Sequence, residues 1–211
     1  MLSVFMETMP THVTEEIKKF CEEVTPGQLP VYVPVAPQTE AEIDKCHVNV
    51  EEHIKSHGGT PIYGWIIWQS PALLHALFHC NWMSPDGELI DITPKVDGET
   101  KILFLPDPAK QWKGRYVPSR RNARRSDPLI ARFVAVNDQM DKIRVKYLPG
   151  QPFSSIDAQS SMALMFESSM LVLTVSGSWK TNPGEVARAA ADRRARNKAE
   201  RKRRKQQRRR K

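Results

Sequence analysis

Pro85-Asp86-Gly87-Glu88 stands between two segments of strand composition, and such a turn sequence folds the chain back on itself as a tight hairpin. The hairpin puts His79 and Asp91 on adjacent antiparallel strands. Its arms are nearly equal, so a flat hairpin brings the two side chains almost opposite each other, about 5 Å apart at Cβ, where a carboxylate can orient an imidazole. Upstream, Cys46 opens or sits within a helical segment that ends at Gly58-Gly59. Packed on the hairpin, that helix carries its thiol to the same imidazole and completes a Cys46, His79, Asp91 constellation.

The neighbouring segments support a mixed fold. Ile17, Phe20, Cys21 and Val24 recur at helical spacing, with Thr11 or Thr14 as N-cap and Pro26-Gly27 as the stop. Cys21 on that apolar face is read as a small buried hydrophobe. Pro30 to Val35 has the composition of an edge strand bracketed by prolines. Thr39-Glu40-Ala41-Glu42 matches a capping box, which leaves two alternatives: one helix from Thr39 to His57 with Cys46 in its middle, or a break near Asp44 that puts Cys46 in the first turn of a second helix. Within that segment Val50 and Ile54 form the apolar stripe, and Asn49, Glu51, Glu52 and Lys55 look outward.

Tyr63 to Trp68 and Leu73 to Trp82 read as central strands joined at Ser70-Pro71. Leu77, His79 and Asn81 share one face and Phe78, Cys80 and Trp82 the other, so Cys80 points away and is not the chosen nucleophile. Leu89 to Thr93 and Lys101 to Leu105 are the next two strands, with Lys95 to Thr100 as their turn. Asp127-Pro128 starts a helix whose apolar face is Leu129, Phe133, Val136, Met140 and Ile143. A further helix over Ile156 to Val175 is rich in Met and Leu, and its methionines are assigned to core packing.

Several motifs carry a resemblance: Cys46-x-x-Asn49-Val50, His57-Gly58-Gly59, Tyr63-Gly64-Trp65-x-x-Trp68, His79-x-x-Trp82 and Pro85-Asp86-Gly87-x-Leu89-x-Asp91-x-Thr93-Pro94. Together they resemble the papain-like and transglutaminase-like fold, and more narrowly a family of small, functionally uncharacterised bacterial proteins. The likeness spans roughly residues 30 to 108. It implies α+β architecture, with a papain-like core in which a Cys-bearing helix packs on an antiparallel sheet, and it favours the break before Cys46. By analogy with the Gln that precedes the papain-like nucleophile, it also makes Gln38 a candidate oxyanion donor. Some relatives of that kind carry a Cys-rich metal-binding tail; this chain has no such tail, and no metal or other cofactor is carried over.

The 211 residues divide into an N-terminal amphipathic helix (1–29), the core (30–108), a basic loop with a helical extension packing on the core (109–180) and a basic arm (181–211). Charge is unevenly placed. Residues 188–211 hold 14 Lys or Arg against Asp192 and Glu200, a net +12, while the whole chain carries +8, leaving residues 1–187 at −4. The arm is expected to be solvated, partly helical or disordered, and to contact nucleic acid or another polyanion through Arg201, Lys202, Arg203, Arg204, Lys205, Arg208, Arg209 and Arg210. Trp112 and Tyr116 interleave with basic residues from Lys110 to Arg125, a pattern suited to base stacking plus phosphate pairing, though a solvated loop is the preferred reading.

Three cysteines and the absence of a recognisable leader point to a cytoplasmic protein without a disulfide framework. No run approaches the ~18 apolar residues of a membrane span, so no membrane partner is expected. Three functions compete. The first is a thiol-dependent hydrolase or acyl transferase acting on an amide or ester bond, with Cys46 as nucleophile, His79 as general base and Asp91 fixing the imidazole. The second is a non-catalytic nucleic-acid-binding protein that uses the core as a scaffold. The third is a structural metal site from Cys46, His47, His79 or Cys80, the weakest because no C-x-x-C is present; the His53/His57 pair likewise lacks a neighbouring Glu and a third ligand.

Overall fold

The computed structural model describes residues 4–178, and the fold is mixed helix and antiparallel sheet. The elements run α1 (Glu15–Val24), β1 (Val31–Pro34), α2 (Cys46–His57), β2 (Thr60–Gln69), β3 (Leu73–Met83), β4 (Leu89–Ile90), β5 (Lys101–Pro106), β6 (Arg120–Ala123), α3 (Pro128–Arg144) and α4 (Ser155–Ser178). The sheet order is β1-β5-β2-β3-β4, with β6 also paired to β3. The arm and its eight basic candidates lie outside the described residues.

The sheet curls almost into a barrel. Past the end of β1, Val35 bridges Asp91 in parallel, and Asp91 N–H donates to Pro34 O while Ala36 N–H donates to Asp91 O, both at 2.9 Å. These bonds tie the two outer strands together and remove an edge that would otherwise be open to pairing. They also lock the backbone of Asp91 on both sides. Ile102 to Leu105 of β5 are all buried, as expected of a strand covered on both faces; Trp65, Phe104, Val33 and the Ile17/Phe20/Cys21 face of α1 complete the main core.

Two glycines of the motifs are required by packing. A Cβ at Gly64 would run into Leu105 O and the Phe104 ring, and a Cβ at Gly59, whose φ is +86°, would run into Met83 O. Gly64 thus lets β5 lie close to β2, and Gly59 lets the chain leave α2 against the end of β3. Trp82 Nε1 donates to Gly58 O at 2.9 Å and fixes that same junction.

Residues 109–125 are not one open basic loop: Lys110, Lys113, Arg115, Arg120 and Arg125 are exposed, but other groups of the segment are engaged within the fold. Part of this segment pairs with β3 as β6, from Leu73↔Ala123 to Ala76↔Arg120. Arg121 is spent on Asp138 at 3.1 Å and Asp141 at 2.8 Å, Arg124 on Glu16 and Ser70 O, and Tyr116 Oη on Asp141. Those groups anchor α3 and α1 to the sheet and are not available to phosphates or bases.

Asp127 caps α3 by accepting from Leu129 N–H at 2.8 Å, as its Asp-Pro start predicts. The buried face is turned slightly from the expected one: Ile130 is buried where Leu129 was expected, and Val136, Met140 and Ile143 are buried as expected. α4 packs antiparallel on α3 through Arg132–Glu167, Asn137–Ser168 and Lys146–Asp157. Its methionines do not pack in the core. Met162, Met165 and Met170 are exposed, because the side of α4 that meets α3 is the one bearing Leu171 and Val175.

Candidate active site

α2 begins at Cys46 itself. No helix forms over Thr39 to Glu42, and the capping-box reading of that stretch fails. Asp44 adopts φ +62°, the one non-glycine residue among the described residues with positive φ, and the turn it makes stops any helix from running through. Lys45 occupies the N-cap position without a side-chain cap bond, so the first N–H groups of α2 are left without an intrahelical partner next to the thiol. The register of the 39–45 loop is set by Asn49, which is buried and not outward-facing. Its side chain accepts from Glu42 N–H at 3.0 Å and donates to Glu42 O at 2.7 Å and Thr93 Oγ1 at 3.1 Å. One amide therefore ties the loop before Cys46 to the segment after Asp91.

The hairpin turn forms over Pro85 to Gly87, closed by Ser84 N–H to Glu88 O at 2.9 Å, with Gly87 at φ +85°, a three-residue loop ending in a left-handed glycine. Its register differs from the expectation. Trp82 pairs with Ile90 and Met83 with Leu89, which puts Asp91 level with Asn81 and two positions from His79. Diagonal neighbours on one face remain within reach of long side chains, and His79 Nε2 donates to Asp91 Oδ2 at 3.0 Å. Asp91 Oδ1 accepts from Thr93 N–H at 2.9 Å, the Asx-type turn for which Asp-x-Thr-Pro is the local signal. Nε2 is thereby committed to the carboxylate, and the other ring nitrogen is left for the thiol.

The structure brings Cys46, His79 and Asp91 together and leaves Gln38 out. Gln38 is exposed, and its side-chain amide turns back to Ala36 O at 3.4 Å. Its backbone is drawn into the barrel closure by Ile92 O, which points it away from the cleft. Two groups absent from the proposed triad join instead. Lys95, expected to be a turn residue, has its ammonium 2.6 Å from Asp91 Oδ2 and 3.4 Å from His79 Nε2, and it is buried to all but a tenth of its side chain. His47 stacks flat on Trp112 at 4.8 Å. Its position directly after the cysteine at a helix start was the available signal; Lys95 had none beyond lying four residues after Asp91.

The electrostatics are set by these contacts. Burial pushes the Cys46 thiol up, but the His79 imidazolium, helped by the side chain of His47, outweighs it and brings the thiol from 9.0 down to about 5. Burial pushes His79 down; the Asp91 carboxylate and the Cys46 thiolate raise it against the opposing charge of Lys95, and it rises from 6.5 to about 9. Asp91 is pushed up by burial, yet His79 and Lys95 hold its carboxyl below the usual range. Cys80, expected to point away from the site, instead shares an apolar cluster with Cys46, Val50 and Ile92, because the α2 side of β3 is the one that carries it, and its thiol is pushed up by burial and by the Cys46 charge. Cys21 is pushed up to about 12 by burial alone.

Cys46, His79 and Lys95 open onto a cleft of about 1470 Å³ whose lining includes Ile66, Trp68, Leu77, Phe78, Trp112, Tyr147 and Phe153. The 112–117 strap and the 144–153 connection between α3 and α4 form its far wall. No group of three or more His, Cys, Asp or Glu side chains suited to a metal ion exists among the described residues. Compared with known proteins, the chain matches no family model, no curated protein and no solved structure, so the chemistry is read from the site's own geometry.

Proposed function

We propose that the protein is a thiol-dependent hydrolase or acyl transferase acting on an amide or ester bond, built on a papain-like arrangement of helix and sheet. The observation that carries this reading is the buried Cys46, His79, Asp91 chain at the floor of an open cleft, with the thiol shifted down and the imidazole shifted up. A thiol that titrates below its imidazole partner exists as thiolate beside imidazolium at neutral pH.

In the proposed reaction the Cys46 thiolate attacks the acyl carbon and the carbonyl electron pair moves onto oxygen. The N–H groups at the uncapped start of α2 are positioned to receive that charge, taking the place of Gln38. Collapse of the tetrahedral adduct breaks the bond to the leaving amine or alcohol, which takes its proton from His79. Water or a second nucleophile then attacks the thioester, gives its proton to His79 and releases the acyl group, restoring the thiolate. Asp91 keeps the ring oriented, and Lys95 and Thr93 N–H keep Asp91 charged and in place. The cleft's aromatic and aliphatic lining favours an acyl group held by apolar contact.

Nitrophenyl esters of increasing acyl length test this directly. A burst of nitrophenol stoichiometric with enzyme, a mass increment on the peptide holding Cys46, and loss of both in Cys46→Ala are expected. Acylation spread over other residues, or turnover unchanged in Cys46→Ala, would remove the thiol mechanism. The net +12 of residues 188–211 favours a second, separate role, contact with a polyanion. It is compatible with an enzyme core and draws chiefly on the arm: between 110 and 125, Trp112, Tyr116, Arg121 and Arg124 are engaged within the fold, while Lys110, Lys113, Arg115 and Arg120 stay exposed.

A further inference from the structure

The exposed side of α4 carries a run of large apolar side chains outside the cleft. α4 is 24 residues long, about 36 Å at 1.5 Å per residue. Met162, Phe166 and Leu173 are 70%, 71% and 66% exposed, and Met165 and Met170 flank them. At 100° per residue these five fall on one side of the helix, opposite Leu171 and Val175, which pack inward. The helix has two ionisable residues, Asp157 and Glu167, and both are paired: Asp157 with Lys146 at 3.0 Å and Glu167 with Arg132 at 2.6 Å. A stripe of this size without a charge marks an interaction surface.

The composition of the chain after α4 limits the occupant. Trp179 and Lys180 come directly after α4, and residues 188–211 carry a net +12 with alanine as their only apolar residue. Residues 188–211 have no side chains with which to cover a Met, Phe and Leu stripe. A nucleic acid would match the arm's charge and leave the stripe in water. A second copy packed through α4 would bury the stripe and leave each arm's charge uncompensated. An anionic lipid surface answers both features, since its acyl boundary accepts the apolar stripe while its headgroups accept the adjoining basic arm. No described helix is long and apolar enough to cross a bilayer, so contact is in the plane of the interface.

We infer that the protein docks reversibly on anionic membrane surfaces, α4 lying in the interface with its Met162, Phe166, Leu173 side inward and the basic arm on the headgroups. Such docking is independent of the thiol chemistry and shares with the polyanion reading only the charge of the arm. The test is co-sedimentation of the full chain with phosphatidylcholine vesicles, with and without phosphatidylglycerol. Binding is expected with the anionic lipid alone and should weaken with salt. Met162→Asp/Phe166→Asp should reduce the bound fraction about tenfold or more while leaving the circular dichroism spectrum unchanged, because both side chains stand in water. The milder Phe166→Ser should give an intermediate loss, and replacing Arg203, Arg204, Arg208, Arg209 and Arg210 with Gln should give a loss comparable to the double variant. Three results would overturn the inference: vesicle binding undiminished by the α4 substitutions, which leaves the arm acting alone; RNA binding without vesicle binding; or a concentration-dependent dimer abolished by Phe166→Ser, which makes a second copy the occupant.

Discussion

The start of α2 and the middle of β3 each place a cysteine in the same buried cluster, and the two thiols are driven in opposite directions. Cys46 is brought down to about 5, while Cys80 is pushed up. Burial is the largest single influence on both. What separates them is the second influence: Cys46 faces the imidazolium of His79, whereas Cys80 faces the charge that Cys46 itself carries. A buried thiol thus becomes a nucleophile through a cation within reach, and one thiolate raises the cost of a second beside it.

The largest expected effect comes from removing that cation. At pH 6 iodoacetamide should label Cys46 and leave Cys21 and Cys80 untouched, and His79→Ala should slow labelling by on the order of a hundredfold as the thiol returns toward its free value. Equal labelling of all three cysteines would erase the distinction between the two regions.

Next in size is the pH dependence of stability. Between pH 6.5 and about 9 the folded pair holds one proton on His79 while the unfolded chain holds one on Cys46, whose ordinary value is 9.0, so this pair contributes no slope. Below pH 6.5 the unfolded chain holds both protons and the folded pair only one until the Cys46 thiolate protonates near about 5. Stability contributed by the depressed thiol is therefore lost as pH falls through that window. Denaturant titrations of Cys46→Ser should lack this segment of the acid slope, and Cys80→Ser should retain it.

Asp91→Asn and Lys95→Met should act in opposite directions on His79. The first removes the charge that raises it, so the thiol loses part of its partner and labelling at pH 6 slows by less than in His79→Ala. The second removes a like charge, so the basic limit of the ion pair, read from the His79 ring by NMR, should move above about 9. No movement in Lys95→Met would mean that Lys95 acts only by holding Asp91 in place.

Asn49→Ala should have the smallest electrostatic effect and a structural cost. It leaves the buried Thr93 hydroxyl, as well as the Glu42 backbone groups, without their partner and should destabilise the fold by about 1–3 kcal/mol. Cys80 should stay inert while labelling of Cys46 weakens, because only the helix start loses its support.

Much of the local architecture was legible in the sequence. Pro85 to Gly87 dictates a turn through the fixed φ of proline and the freedom of glycine. Gly58-Gly59 ends a helix, Asp127-Pro128 begins one, and alternation assigns His79 and Cys80 to different faces of β3. Each depends on the residue and its immediate neighbours, so sequence suffices. The capping box at Thr39 was equally local and still failed, since the left-handed turn at Asp44 and the hold of Asn49 on Glu42 compete with a helix there. Contacts between distant segments decided the rest: the diagonal reach of His79 to Asp91, the clamp of β1 on the Asp91 backbone, the entry of Lys95 and Trp112, the exclusion of Gln38 and the outward face of α4. These depend on strand register, barrel closure and the rotation at which one helix meets another, which are fixed when the whole core packs and leave no mark in the spacing of residues along the chain.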